Sequence, residues 1–85
     1  MAKLKVTRAD NSVQEFEITP TLEVAYEAHV KKGWHKSMIE DGRQTDVYWL
    51  TWEAIRRSGE TVKPFGDEFL ETLKLVEVLE SDPLG

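Results

Sequence analysis

DVYWLTWEAIRRSG, residues 46–59, is the densest apolar and aromatic stretch of the chain and the only one that holds two tryptophans. It predicts a central helix. Thr45 or Asp46 can supply a capping oxygen at the start, and Gly59 stands where helices commonly end in the left-handed conformation. Arg56, in the last turn, meets the negative end of the helix dipole. Both ends of the helix are therefore marked.

One apolar arc covers most of this helix when its residues are placed at about 100° per step. The arc holds Val47, Tyr48, Leu50, Trp52, Ala54 and Ile55. An arc this wide must be covered on more than one side, by the rest of the chain or by another chain. Trp49 falls outside it, between Arg56 and Glu53, which is the setting of an interface anchor. The alternative is that a neighbouring segment folds over Trp49.

Length and composition bound the protein class. The chain has 85 residues, which predicts one domain (1–85) near the lower size limit of a single core, where association, including homo-oligomerisation, often adds stability. It has no cysteine, no apolar run of membrane-spanning length and no signal-peptide pattern, so we expect a soluble intracellular protein. The net charge of −5 opposes phosphate binding and favours a protein partner over nucleic acid or a membrane.

The N-terminal third alternates polar and apolar residues. Segments 3–7 and 14–18 flank the turn sequence Asp10-Asn11-Ser12, and together they predict a β-hairpin over residues 3–18. A lone hairpin is marginal in water, so its apolar face must lie on helices. That face contains Leu4, Val6, Phe16 and Ile18.

A first helix follows, with Thr19 as its N-cap, Pro20 at its first position and Gly33 as its stop. Its apolar stripe contains Leu22, Ala25, Tyr26, His29 and Val30. We interpret His29, within this stripe, as half-buried and hydrogen-bonded to a neighbour.

The remaining segments complete a predicted helical part over residues 20–75. One or two helical turns are expected before Gly42, and a last helix from about Asp67 to about Leu75, followed by extended chain. Because Val76-Glu77-Val78 has period two, Leu75–Leu79 is alternatively a short strand added to the hairpin. Residues 81–85 form a tail. The predicted fold is α+β, an N-terminal β-hairpin packed on a small bundle of three to four helices.

Catalytic chemistry has little support. His29 and His35 lie six residues apart across a helix-ending glycine, which matches no metal-ligand spacing. The carboxylate pairs lie on polar faces or in turns, and no glycine-rich phosphate loop is present. We therefore expect no enzyme activity, no metal and no cofactor. Three tryptophans in so short a chain are instead typical of a binding module.

The central block, followed by Pro64-Phe65, Phe69-Leu70 and Val76-Glu77-Val78, resembles the small tail assembly chaperones of long-tailed actinobacterial bacteriophages. The resemblance is strongest over residues 45–80 and rests on hydrophobic spacing together with Trp-x-x-Trp and Arg-Arg-x-Gly.

This resemblance implies a non-enzymatic virion assembly factor that is made in the host cytoplasm and is absent from the mature virion. Such chaperones bind the tape measure protein and keep it soluble until tail tube protein polymerises around it. The resemblance also implies a frameshifted longer form of the same protein, which would diverge near residues 81–85.

A tape measure protein is long and largely helical with exposed apolar stripes, so a chaperone for it needs a shallow apolar groove. The predicted protein-binding residues are Trp34, Met38, Trp49, Trp52 and Arg56, with Trp49 as the principal anchor. For Trp52 and Tyr48 the alternative is simple core packing.

Two other functions fit the same sequence. The first is a structural head–tail joining or tail completion protein that is retained in the virion. The second is a small adaptor or antitoxin-like regulator that binds one protein through its tryptophan face.

Overall fold

The structure, a computed structural model, describes residues 2–34 and 36–79. In chain order its elements are strand β1 (Lys3–Arg8), strand β2 (Val13–Glu17), helix α1 (Pro20–Val30), a short π-helix (Lys36–Asp41), helix α2 (Gln44–Arg57), helix α3 (Asp67–Leu70) and strand β3 (Leu73–Leu79). This is the predicted α+β fold, with an N-terminal hairpin and several helices. The predicted tail, residues 81–85, lies outside the described residues.

The hairpin is confirmed with its apolar face inward. Leu4 lies opposite Phe16 in the antiparallel β1–β2 register. At the turn, Asn11 adopts a left-handed φ of 72°, which asparagine tolerates well. The Ser12 hydroxyl donates to the Asp10 carboxylate at 2.6 Å, and the Ser12 amide donates to it at 2.9 Å. These two hydrogen bonds lower the pKa of Asp10.

A third strand completes the sheet. β3 pairs antiparallel with β1, so the strand order is β2-β1-β3. The prediction of a last helix to about Leu75 was wrong, because α3 ends at Leu70 and the strand begins at Leu73. The alternative, a strand added to the hairpin, is confirmed. Val76 and Val78 pair with Val6 and Leu4, so the period-two pattern places both valines on the core face.

Helix α1 begins as predicted but ends earlier. The Thr19 hydroxyl accepts a hydrogen bond from the Leu22 amide at 3.2 Å. The helix ends at Val30, with Lys31 in the left-handed conformation (φ 59°), so Gly33 is not its stop.

Helix α2 also differs from its prediction at one end. It begins at Gln44, and no side chain caps it. Asp46, one of the two predicted caps, is only 4% exposed, and both its oxygens accept from the Arg43 guanidinium at 3.1 Å. At the other end Gly59 has a φ of 99°, as its predicted role requires.

The helices cover one face of the sheet. α2 packs against both α1 and β3. The core cluster consists of Leu4, Val6, Ile18, Leu22, Tyr26, Met38, Val47, Leu50, Ala54 and Val76. The π-helix supplies the predicted helical turn before Gly42, whose amide donates to the Ser37 carbonyl five residues earlier at 2.8 Å.

Candidate functional site

Helix α2 carries two tryptophans at the margin of the core, and Trp49 packs against the core cluster. Val47, Leu50 and Ala54 are buried in the core cluster. Trp49, Trp52 and Arg56 lie three and seven residues apart, a spacing that places them on one other face of the helix. Both tryptophans are half-buried, so this face is partly covered and partly open.

Four rings form a continuous line across this face, which we name the aromatic row: His29, Trp49, Trp52 and Phe65. His29 stacks flat on Trp49, with ring centroids 4.0 Å apart and planes inclined by 2°. Trp49 and Trp52 are 6.2 Å apart, and Trp52 meets Phe65 edge-on, also at 6.2 Å. The row therefore links α1, α2 and the segment before α3.

The orientation of Trp52 is set by a hydrogen bond as well as by ring contacts. Its indole Nε1 donates to the Lys63 carbonyl at 2.8 Å. A buried indole N–H needs such a partner, and this one lies in the irregular segment between α2 and α3. The bond holds one edge of Trp52 against that segment while the ring remains half-buried.

Arg56 lies over the row and is held by an acidic side chain. Its guanidinium carbon is 5.4 Å from the Trp52 ring centroid, within the range of a cation–π interaction. Its Nε donates to Glu53 Oε1 at 2.7 Å, and Arg57 approaches the other oxygen of Glu53 at 3.6 Å. Glu53 is only 5% exposed, whereas the Arg56 side chain is half-exposed, so the pair presents positive charge outward.

Trp34 and Met38, the other two predicted binding residues, are placed differently from the row. Trp34 is half-buried and packs edge-on against Tyr26, at 5.3 Å between centroids. Tyr26 in turn lies 6.3 Å from Trp49, so this buried tyrosine connects Trp34 to the row. Met38 is 8% exposed and belongs to the core, which leaves it little surface to offer a partner.

Sequence reasoning did not identify His29 as part of this surface. We predicted a half-buried histidine bonded to a neighbour, but His29 is exposed, and its described contact is the stack on Trp49. The two residues are twenty positions apart, so no local pattern links them. Trp49 is half-buried, and His29 of α1 covers one face of its ring, so a neighbouring segment does fold over part of it. Its role as an interface anchor stays a prediction.

One cleft lies outside the aromatic row. A cleft of about 360 Å³ opens between the end of β2, the start of α1 and the end of α2. Its lining is Phe16, Glu17, Thr19, Thr21, Leu22, Ala54, Arg57 and Ser58. The Thr19 hydroxyl caps the start of α1, and the Ser58 hydroxyl donates to the Ile55 carbonyl at 2.6 Å at the end of α2. Both hydroxyls therefore already bond to a helix terminus.

Within residues 2–34 and 36–79, no three histidine or acidic side chains are grouped so that they could hold a metal ion. His35 lies outside the described residues. No helix in the described chain combines the length and apolarity needed to span a membrane.

Comparison with known proteins adds no relative: no family model, curated protein or solved structure matches this chain.

Proposed function

We propose that this protein is a non-enzymatic bacteriophage tail assembly chaperone. It binds the tape measure protein in the host cytoplasm, keeps it soluble while the tail tube assembles, and is not retained in the mature virion. The resemblance of residues 45–80 to that family motivates the proposal. The observation that carries it is the aromatic row, because adjoining aromatic side chains that reach the surface are typical of a protein-binding site.

The row suits an apolar helical partner. Tryptophan and arginine are the residues most enriched at binding hot spots, and Trp49, Trp52 and Arg56 share one face of α2. An amphipathic helix binds a groove through anchors on one stripe, and the row offers successive rings against which such a stripe can pack. The half-buried state of both tryptophans keeps the rings ordered before binding, which reduces the entropy lost on association.

Charge supports the same role. Arg56 keeps its guanidinium half-exposed beside Trp52, so an acidic side chain at the edge of the partner's apolar stripe would find donors there. The chain as a whole carries a net charge of −5, and like-charged complexes along a long polypeptide repel one another. The protein thereby combines an apolar contact surface with a solubilising surround.

Co-expression with tape measure segments tests the proposal. Wild-type protein should raise the amount of soluble segment and co-purify with it. Trp49→Ala should lose both effects while its circular dichroism stays folded. Val24→Ala is the matched control, because Val24 is 66% exposed and lies outside the aromatic row. Trp49→Phe should restore part of the binding, since a ring returns to the same position.

Two outcomes would contradict the proposal. Failure of the wild-type protein to solubilise or bind any segment would refute the chaperone role. Presence of the protein in purified virions, in stoichiometric amounts, would favour the structural head–tail or tail completion role instead.

A further inference from the structure

Strand β3 has one side on which no neighbour is bonded. In the hairpin, the Ile18 amide donates to the Ala2 carbonyl at 3.0 Å, so the even-numbered residues of β1 bond to β2 and the odd-numbered ones face β3. By the β1–β3 register, the odd-numbered residues of β1 bond to Leu75, Glu77 and Leu79. The backbone groups of Val76 and Val78 therefore point away from the sheet, and within the described residues nothing bonds to them.

The two edges of the sheet differ in how they resist pairing. β2 has five residues, and two of the three that point their backbone groups outward are Glu15 and Glu17. Repeated charge on a short strand is a common protection against edge-to-edge association. β3 has seven residues, LKLVEVL, with one lysine and one glutamate and therefore no net charge. Leu75 on this strand is 51% exposed, and Lys74 is the strand's one basic side chain, at the register shift between Leu73 and Leu75. The β3 edge is therefore longer and carries less net charge than the β2 edge.

We propose that β3 is a dimerisation element, through which two copies of this chain pair antiparallel and join their sheets into one of six strands. A second copy fits because the edge is self-complementary about a two-fold axis at Val76. In that register the outward backbone groups of the two strands meet, and Leu75 lies opposite the second copy's Glu77 and diagonal to its Leu75.

Charge favours a second copy at this edge and not at the other. In the register described, Glu77 lies opposite the second copy's Leu75 and beside Lys5 on β1, and the second copy's Glu77 approaches it only along the diagonal. Pairing two β2 strands over their full length would instead set Glu15 against Glu15, which is unfavourable. The chain is acidic overall, so its neutral edge is the place where two copies repel each other least. This inference depends on the strand edge and not on the aromatic row, so it is independent of the proposed function.

A matched pair of variants tests the inference by sedimentation velocity at increasing protein concentration. Leu75 and Val13 both lie opposite Thr7, on either side of β1, and are 51% and 53% exposed. Leu75→Glu places a carboxylate opposite the second copy's Glu77, and Val13→Glu places the same charge on the β2 edge. We expect wild type and Val13→Glu to dimerise alike, and Leu75→Glu to weaken the dimer by roughly tenfold or more, because like charges then face each other twice across the axis.

Hydrogen exchange of the wild-type protein supplies a second readout that needs no variant. In the dimer the amides of Val76 and Val78 are bonded across the axis, so their exchange should slow as concentration rises. The amides of Glu15 and Glu17 should exchange at the same rate throughout.

Four results would overturn the inference. They are a wild-type protein that is monomeric at every concentration, loss of the dimer in both glutamate variants, retention of the dimer in both, and amides at Val76 and Val78 that stay unprotected in the dimer. Protection of these amides only on addition of another protein would assign the edge to that protein instead.

Discussion

Alanine substitution of His29 and Trp49, singly and together, measures the stack that ends the aromatic row. The two rings are nearly parallel, 4.0 Å apart, and a well-placed aromatic pair contributes about 0.5–1.5 kcal/mol beyond burial. Because His29 is exposed, the stack is most of what His29→Ala removes. We expect a coupling free energy of about 1 kcal/mol between the two positions.

Each single variant should also change the free energy of unfolding. Trp49→Ala should lower the free energy of unfolding by about 2–3 kcal/mol, below the roughly 3–5 kcal/mol of a fully buried aromatic residue, because Trp49 is half-buried. Alanine is a better helix former than histidine by about 0.5 kcal/mol, which partly offsets the loss in His29→Ala. This propensity difference appears in both arms of the double-mutant cycle and cancels in the coupling.

Urea unfolding followed by far-UV circular dichroism gives all four free energies, with Val24→Ala as a control that should change little, since Val24 is 66% exposed. A coupling within about 0.3 kcal/mol of zero would show that the stack does not form in solution. A loss above about 4 kcal/mol in Trp49→Ala would make Trp49 a core residue and remove the main anchor of the proposed surface.

Three further predictions concern the framework around the row. The hydroxyls of Tyr26 and Ser37 lie 2.7 Å apart and buried, so Tyr26→Phe and Ser37→Ala should each cost about 1–2 kcal/mol, and the double variant less than their sum, in urea unfolding. The pKa of Asp10 is lowered in the folded state, so its contribution to stability is complete above its unfolded pKa near 3.8 and is lost as pH falls through its folded pKa. Asp10→Asn should therefore destabilise the protein at neutral pH, and in acid the variant and the wild type should become more nearly equal in stability. Gly59→Ala should lower the free energy of unfolding by about 1 kcal/mol, because Gly59 has a φ of 99°. Gly33 does not have a left-handed φ, and a Cβ there would contact no neighbouring atom, so Gly33→Ala should be neutral or slightly stabilising in thermal unfolding.

Local signals predicted the parts of the fold that depend on adjacent residues. The Asp10-Asn11-Ser12 turn, the Thr19 cap and the left-handed Gly59 each follow from the chemistry of a few consecutive positions. The two errors at helix ends arose where other contacts between nearby residues compete with such signals. Asp46 was a plausible cap, but its carboxylate bonds to the Arg43 side chain instead.

The candidate site was predictable only in part. Trp49, Trp52 and Arg56 are related by helical spacing, so a sequence pattern brings them together. His29 and Phe65 complete the row from other elements, and their contacts with α2 depend on how those elements pack. Met38 carried no sequence signal that separates a surface methionine from a core one, and packing placed it inside.

The sequence by itself determined the fold class, the hairpin and the central helix, because these depend on hydrophobic period and on turn and cap chemistry. Only the tertiary structure decided that residues 73–79 form a strand. A short apolar run satisfies helix and strand alike, and the choice is made by the bonding groups of β1 that a third strand satisfies. The same holds for the stack of His29 on Trp49, since a contact between residues twenty positions apart exists only once two helices have packed.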